Sequence, residues 1–410
     1  MKTLLFCLVF LVALSPLEGV AQQTPVDFYN LGVEALKQDR LDDAITSFNR
    51  SIQLDPLDHL AFNNLGVAYR RKGLLDKAIG CYDRAVEIKP DYAYAWYNRG
   101  NAKLKKGDLD GALSDLNQAA KFKKKDSVIQ TTVGMVYLEK GDLERAIKEL
   151  RQAVALNKKN IRAFQALGEV HQKRKEYGKA LEAYGTVINL LGKQGDIKDV
   201  EEKINLVKQL YADDLHAEGL ENYRRGLDNK AVSIWTEALK VSPGLVHVLR
   251  DRGLTYHKLE KYGKAVEDFD AALALVPSNA EIYRIRGDSL YKMKRLDKAL
   301  ADYTKSLELN PNDAICHNNR GLIFHEQNLL DEALADYNKA IALEPSNPTF
   351  FENRALIYAA RGFKDKALGD YQEALKLAAD EKLRDHIKER IAALTRNPGE
   401  PQSASSTPAQ

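Results

Sequence analysis

Cysteine is scarce in this sequence, with three among 410 residues, at Cys7, Cys81 and Cys316. No disulfide framework and no Cys-x-x-Cys metal or redox pair can be built from them. Charge of one sign is lacking too. Basic residues number 61 and acidic ones 58, a formal net charge of +3, so no whole-chain field draws the protein to nucleic acid. No RNA-module motif or zinc-finger spacing occurs either. The apolar run from Leu4 to Leu14 falls short of the roughly 20 residues that span a bilayer. A Gly-rich phosphate loop, a Gly-x-Ser-x-Gly elbow and a His-Glu-x-x-His helix are all missing. The eight histidines are scattered; His247 and His257 would share a helix but stand nearly three turns apart, too far to hold one metal. We expect no catalytic residue, no cofactor and no metal.

The N-terminus has a leader grammar: Lys2, the apolar run, Pro16, then Gly19 and Ala21 at the minus-three and minus-one places. We expect residues 1–21 to be a signal peptide cleaved before Gln22, which makes the chain extracytoplasmic, periplasmic or secreted. In that setting Cys81 and Cys316 read as free, packed thiols rather than a bridge.

From residue 25 onward the sequence repeats itself every 34 residues. Phe62, Leu65, Gly66, Tyr69, Ala78, Tyr82, Ala85 and Pro90 set the pattern, and Leu249, Gly253, Tyr256, Ala265, Phe269, Ala272 and Pro277 restate it, as do Gly321, Phe324, Ala333, Tyr337, Ala340 and Pro345. Small residues at the eighth and twentieth places let two helices approach, and aromatics at the fourth, eleventh and twenty-fourth fill the space between them. Such a hairpin cannot bury its apolar face alone, so its neighbours must stack on it. These residues resemble the tetratricopeptide repeat, over nearly all of the chain from 25 to 381.

The resemblance implies an all-α, right-handed superhelical solenoid of ten helix-turn-helix units with a C-terminal capping helix. The grid places units at 25–58, 59–92, 93–126, 127–160 and 161–194, then at 212–245, 246–279, 280–313, 314–347 and 348–381. Between the two arrays, 22–194 and 212–381, the register slips, and Ile197, Val200, Ile204, Val207 and Tyr211 recur at helical spacing. We expect an inserted or extended helix over 195–211, with a bend or a straight continuation both open. Leu383, Ile387, Ile391 and Leu394 give a capping helix over 382–396. The Pro, Ser, Gln and Thr of 397–410 cannot build a core and read as a disordered tail.

Comparing units within the chain exposes a covariation. The seventh place is Arg99, Arg252, Arg286, Arg320 or Arg354 in five units, and the same five carry Asp115, Asp268, Asp302, Asp336 or Asp370 at the twenty-third. The other five have Leu31, Leu65, Val133, Leu167 or Glu218 at the seventh and no Asp at the twenty-third. We expect structural interhelical ion pairs, with a bidentate fork open to each.

The family resemblance also implies a concave groove lined by the first helices, at the second, fifth, sixth, ninth, twelfth and thirteenth places. The sixth place carries Asn30, Asn64, Asn98, Asn319 and Asn353, similar to the asparagine ladder of O-linked N-acetylglucosamine transferase, which holds extended polypeptide. Amides joining adjacent repeats would be the structural alternative. The twelfth place of the second array runs Tyr223, His257, Tyr291, His325, beside Arg250, Arg284, Arg224, Lys258 and Lys292, a groove for an acidic or aromatic-bearing peptide or a solvated basic face. Lys121, Phe122, Lys123, Lys124 and Lys125 form a basic cluster at a repeat junction, either a contact for an anionic membrane or polysaccharide or an exposed turn. The carboxylate clamp of heat-shock co-chaperones is not found in register.

Together these readings predict a non-catalytic scaffold binding a protein or extended peptide in its groove, in envelope or secreted-protein assembly. A regulatory or docking subunit of an enzyme complex is the alternative, and a glycan-binding protein a weaker third. Nucleic acid and an integral membrane span are not expected, and the sequence leaves the oligomeric state open.

Overall fold

The computed structural model describes residues 23–192 and 195–396, so the expected signal peptide and the 397–410 tail lie outside the described residues. All regular structure among the described residues is α-helical. The described residues divide into two compact units, one up to Val207 and one from Lys208.

The first unit holds five hairpins: α1 (Pro25–Lys37) with α2 (Leu41–Leu54), α3 (His59–Arg71) with α4 (Leu75–Ile88), α5 (Ala93–Lys106) with α6 (Leu109–Phe122), α7 (Ser127–Glu139) with α8 (Leu143–Leu156), and α9 (Ile161–Lys173) with α10 (Tyr177–Leu191). A continuous 27-residue helix, α11 (Lys198–Arg224), carries the boundary between units. In the second unit the C-terminal part of α11 packs on α12 (Asp228–Val241) through Gly219 and Trp235. There follow α13 (Val246–Lys258) with α14 (Tyr262–Leu275), α15 (Ala280–Lys292) with α16 (Leu296–Leu309), α17 (Ala314–Glu326) with α18 (Leu330–Leu343), and α19 (Pro348–Ala360) with α20 (Lys364–Leu377). A last helix, α21 (Glu381–Thr395), buries Ile387 beside Leu383, Ile391 and Leu394 against Tyr371 and Ala374.

The small places explain why the hairpins close. Alanine at the twentieth place is fully buried in all ten, from Ala44 and Ala78 through Ala333 and Ala367. The twenty-fourth side chain, a ring in eight hairpins and Leu116 or Leu150 in two, packs against the eighth place: a Cβ added to Gly66 would stand 2.6 Å from the Tyr82 ring. No side chain fits there without moving the ring. Each hairpin turns through one left-handed residue at the fifteenth place, glycine at 73, 107, 141, 226 and 362, but Asp39, Lys175, Glu260, Lys294 and Asn328 elsewhere. That residue starts the return: Leu74 N–H reaches Tyr69 O at 2.9 Å and Lys261 N–H reaches Tyr256 O at 2.8 Å, satisfying carbonyls a helix end would leave open. Most first helices start on side-chain caps, Asp58, Asp126, Asn160, Asn279, Asp313 and Asn347 accepting from backbone amides, each worth about 1 kcal/mol, while α5 and α13 lack one.

Within the first unit the first helices of successive hairpins touch, α1 on α3, α3 on α5, α5 on α7 and α7 on α9; in the second, α13 meets α15 and α17 meets α19. Second helices make no comparable approach among the described residues. In each unit the first helices therefore form the inner face.

Candidate functional site

On the inner face of the second unit, α13, α15 and α17 enclose a cleft of ≈ 250 Å³ lined by His257, Asp288, Tyr291, Lys292, Tyr303, Asn319 and Leu322. Its anchor is Asp288, at a ninth place that is Leu254 and Leu322 in the neighbouring hairpins. Asp288 Oδ1 accepts from the Tyr303 hydroxyl at 2.7 Å and from Asn319 Nδ2 at 2.9 Å, while its Oδ2 lies 3.5 Å from Arg284 Nη1. Burial and the adjacent Asp288 carboxylate push the Tyr303 hydroxyl far above its ordinary pKa, so it stays a donor.

His257 is a second fixed element. Its Nδ1 lies 2.8 Å from Ser289 Oγ, and that hydroxyl donates onward to Ile285 O at 3.2 Å. Ser289 Oγ is thus the acceptor, the imidazole proton sits on Nδ1, and Nε2 is left as an acceptor. Burial holds His257 below the usual histidine range, with Lys292 acting the same way and Asp288 opposing. Tyr291 donates to Glu326 with Lys294 over its ring, Tyr223 is half-exposed beneath Lys258 at 4.9 Å, and His325 is half-buried further along α17.

Of the cations expected to make this groove basic, Arg250 and Arg284 are neutralised. Arg250 Nε donates to Asp251 at 3.0 Å and faces Glu281 at 3.8 Å; Arg284 Nε lies 3.1 Å from Asp313. The face is charge-balanced, with carboxylate, ammonium, imidazole and amide groups side by side. It offers donors and acceptors together and no activated nucleophile, which suits polypeptide recognition.

The five Arg–Asp pairs all close as bidentate forks, Nε to Oδ2 and Nη2 to Oδ1, at 2.6–2.9 Å: Arg99–Asp115, Arg252–Asp268, Arg286–Asp302, Arg320–Asp336 and Arg354–Asp370. The carboxylates are buried. Burial raises Asp268 above its ordinary value despite Arg252. At Asp336 burial also pushes upward, but bonds from His317 and Arg320 outweigh it and hold the carboxyl low.

Family models described as tetratricopeptide repeat match residues 29–93 and 81–114, and a TPR repeat model matches 134–175, 253–294, 287–328 and 321–362. Together they cover more than half of the chain. The chain belongs to the tetratricopeptide-repeat family. No curated protein matches it closely enough to count as a relative. Among solved structures it is similar to yeast Tom70, at 15% identity over 90% of this chain and 95% of that one with a TM-score of 0.39. MamA from Desulfovibrio magneticus RS-1 shares 21% identity over 42% of this chain and 97% of that one, TM-score 0.39. A tetratricopeptide repeat protein from Parabacteroides merdae shares 16% over 74% and 100%, TM-score 0.36.

In these TPR hairpins the asparagines turn toward their neighbours. Asn98 Nδ2 donates to Asn63 at 2.9 Å, Asn63 to Asn64 at 3.2 Å and Asn64 to the Tyr29 hydroxyl at 3.0 Å. Asn353, itself buried, donates to Asn318 at 2.8 Å, Asn318 to Asn319 at 3.1 Å and Asn319 to Asp288. The ladder is therefore two inter-repeat relays, with Asn30 exposed at the start.

Three sets of residues escaped the sequence reading. Each arginine but Arg320 also bonds the preceding second helix through Nη1, to Asp83 at 2.7 Å, Thr236 at 3.0 Å, Asp270 at 2.6 Å or Asn338 at 2.7 Å; a polar twenty-fifth place was the available signal. His216 meets Asp251 at 2.8 Å and the His247 ring at 4.6 Å, a pairing that only stacking of adjacent repeats produces. Asp288 itself was readable as an acidic residue where neighbouring units carry leucine. Cys81 and Cys316 are free thiols, raised by burial to about 11 and about 12. No group of three His, Cys, Asp or Glu suited to a metal occurs among the described residues.

Proposed function

We propose that this TPR protein is a non-catalytic scaffold that holds a polypeptide against the inner face of its second unit. The observation that carries the reading is the Asp288 cleft. Its anchoring carboxylate is fixed by Tyr303 and Asn319, and His257, Tyr291 and Lys292 surround it with mixed donors and acceptors. A peptide backbone needs both kinds of group, and pre-set ones cost less ordering entropy on binding. No helix among the described residues is long and apolar enough to cross a membrane.

The leader grammar of residues 1–21 supports export, and with it a place in envelope or secreted-protein assembly; N-terminal sequencing of the protein from its source tests this, and a chain still beginning at Met1 would contradict it. For binding, a displayed peptide library is panned against the full chain and against a His257→Ala/Tyr291→Ala/Lys292→Ala variant of unchanged helicity. Peptides enriched by the parent should bind the variant at least tenfold more weakly. Equal binding would remove the cleft from the account.

A further inference from the structure

The first unit carries a different surface on its inner face. At the second place of its first four hairpins stand Val26, Leu60, Tyr94 and Val128, with 63, 36, 50 and 50% of their surface exposed. The corresponding places in the second unit are Asp213, His247, Glu281, Ile315 and Thr349. Exposed apolar side chains scattered singly need no explanation, but four in register on touching helices form a stripe. Beside Tyr94 and Val128 a notch of ≈ 120 Å³ is lined by Ala93, Tyr97 and Ile129. Lys123 braces the Tyr94 ring, its ammonium 2.9 Å from the hydroxyl and 4.5 Å from the ring centre.

The stripe runs into positive charge. Its fifth row is Arg162, which shares a cleft with Glu139, and Lys121 at the end of α6, Lys124 and Lys125 before α7, and Lys158 and Lys159 before α9 are all exposed. None of these six has an acidic partner within ion-pair distance among the described residues. Two carboxylates at these helix starts are occupied: Asp126 caps α7 and pairs with Lys123 at 2.7 Å, and Asp58 caps α3.

We infer that this surface is a second docking site, and that its occupant is an amphipathic helix of a partner protein with acidic residues clustered at one end. Touching helices lie roughly 8–10 Å apart, so the four apolar rows span about 24–30 Å, the length of a helix of about 16–20 residues. One face of a helix repeats every seven residues, about 10.5 Å, close to the row spacing. An extended strand repeats its face every 6.6–6.8 Å or so and falls out of step with the rows. A planar bilayer cannot follow an inner face, whereas a single helix can lie along it. The acidic end faces the unpaired cations, and water excluded along the stripe strengthens that attraction.

This inference does not depend on the Asp288 cleft, and its test separates the two. The probe is a fluorescein-labelled 21-residue peptide with leucine at heptad a and d positions and glutamates clustered at its N-terminal or, in a second version, its C-terminal third. Anisotropy is followed on adding the full chain. One version should bind at least tenfold more tightly than a shuffled peptide of the same composition. Val128→Asp should weaken it about tenfold, and Lys124→Glu/Lys125→Glu/Lys159→Glu should weaken it and flatten its salt dependence, whereas Tyr291→Ala/Lys292→Ala should leave it unchanged. No preference over the shuffled peptide, or equal binding by Val128→Asp, would overturn the inference. Loss on changing Tyr291 and Lys292 instead would move the peptide to the other unit and overturn it too. Binding of phosphatidylglycerol vesicles without binding of either peptide would replace the helix with a membrane surface.

Discussion

The two units share one hairpin and differ in what joins it. In the first unit the seventh place is Leu65, Val133 or Leu167, all buried, in three hairpins and the exposed Leu31 in the first, with one Arg–Asp fork at Arg99 and Asp115. In the second unit four successive hairpins carry the fork. The same contrast governs the inner faces, an apolar stripe in one and charged, hydrogen-bonded groups in the other. Apolar contacts are non-directional, so the first unit is held by shape and area. Forks fix distance and angle, so the second unit is held by geometry, at the cost of buried charges that tolerate no partial loss. The chain has two tryptophans, Trp96 in the first unit and Trp235 in the second, so Trp96→Phe and Trp235→Phe backgrounds let each unit be followed separately by fluorescence.

The largest effect should come from leaving a charge alone. Arg320→Ala strands Asp336 with His317 as its remaining side-chain partner, and the Trp235 denaturation transition should lose about 3–5 kcal/mol while the Trp96 transition holds. Overpacking comes next: Gly66→Ala drives a Cβ into the Tyr82 ring and should cost the Trp96 transition about 1–3 kcal/mol. The double change Arg320→Leu/Asp336→Ala, which copies Leu167 and Ala183 of the first unit, should recover most of the Arg320→Ala loss and end within about 1 kcal/mol of the parent. If it stays as damaged as the single change, the units differ by more than polarity.

Two smaller effects sharpen the comparison. Lys294 holds φ 56° at a turn where Gly73, Gly107 and Gly141 serve the first unit; Lys294→Gly should stabilise the Trp235 transition by about 1 kcal/mol, measured in urea. The smallest effect concerns pH. Burial depresses His247, with His216 and Arg250 adding to it and Asp213 and Asp251 opposing, and burial likewise depresses His257. A depressed histidine favours the fold when neutral, so its contribution is complete above the unfolded value near 6.5 and falls as pH drops below it. His59 is the corresponding depressed group of the first unit. Between pH 7 and pH 5 the Trp235 midpoint should fall further than the Trp96 midpoint.

Much of the fold was legible because each hairpin repeats the same solution. Gly66 with Tyr82 and Ala78 recurs at every unit with small variations, and the Arg–Asp forks emerged because five units vary together. Contacts between units were harder to read. The arginine Nη1 partner is Asp, Thr or Asn and sits in the preceding repeat, so no single residue type marks it. Asn63 and Asn318 occupy the fifth place, where other units carry unrelated residues, and their role depends on an asparagine one repeat later. The groove asparagines were recognised as a ladder, but which way their amides face is decided by Tyr29 and Asp288, one repeat away. Asp288 stands alone among the leucines of the neighbouring hairpins, and repetition, which exposed the hairpin and the forks, hides a feature that occurs once.

The central claim is that polypeptide is held on the inner face of the second unit. It is tested most directly by hydrogen–deuterium exchange of the full chain with and without a library-selected peptide. The account predicts added protection in α13, α15 and α17 around His257, Asp288 and Asn319, with α14 and α18 unchanged. Protection confined to those second helices would contradict it.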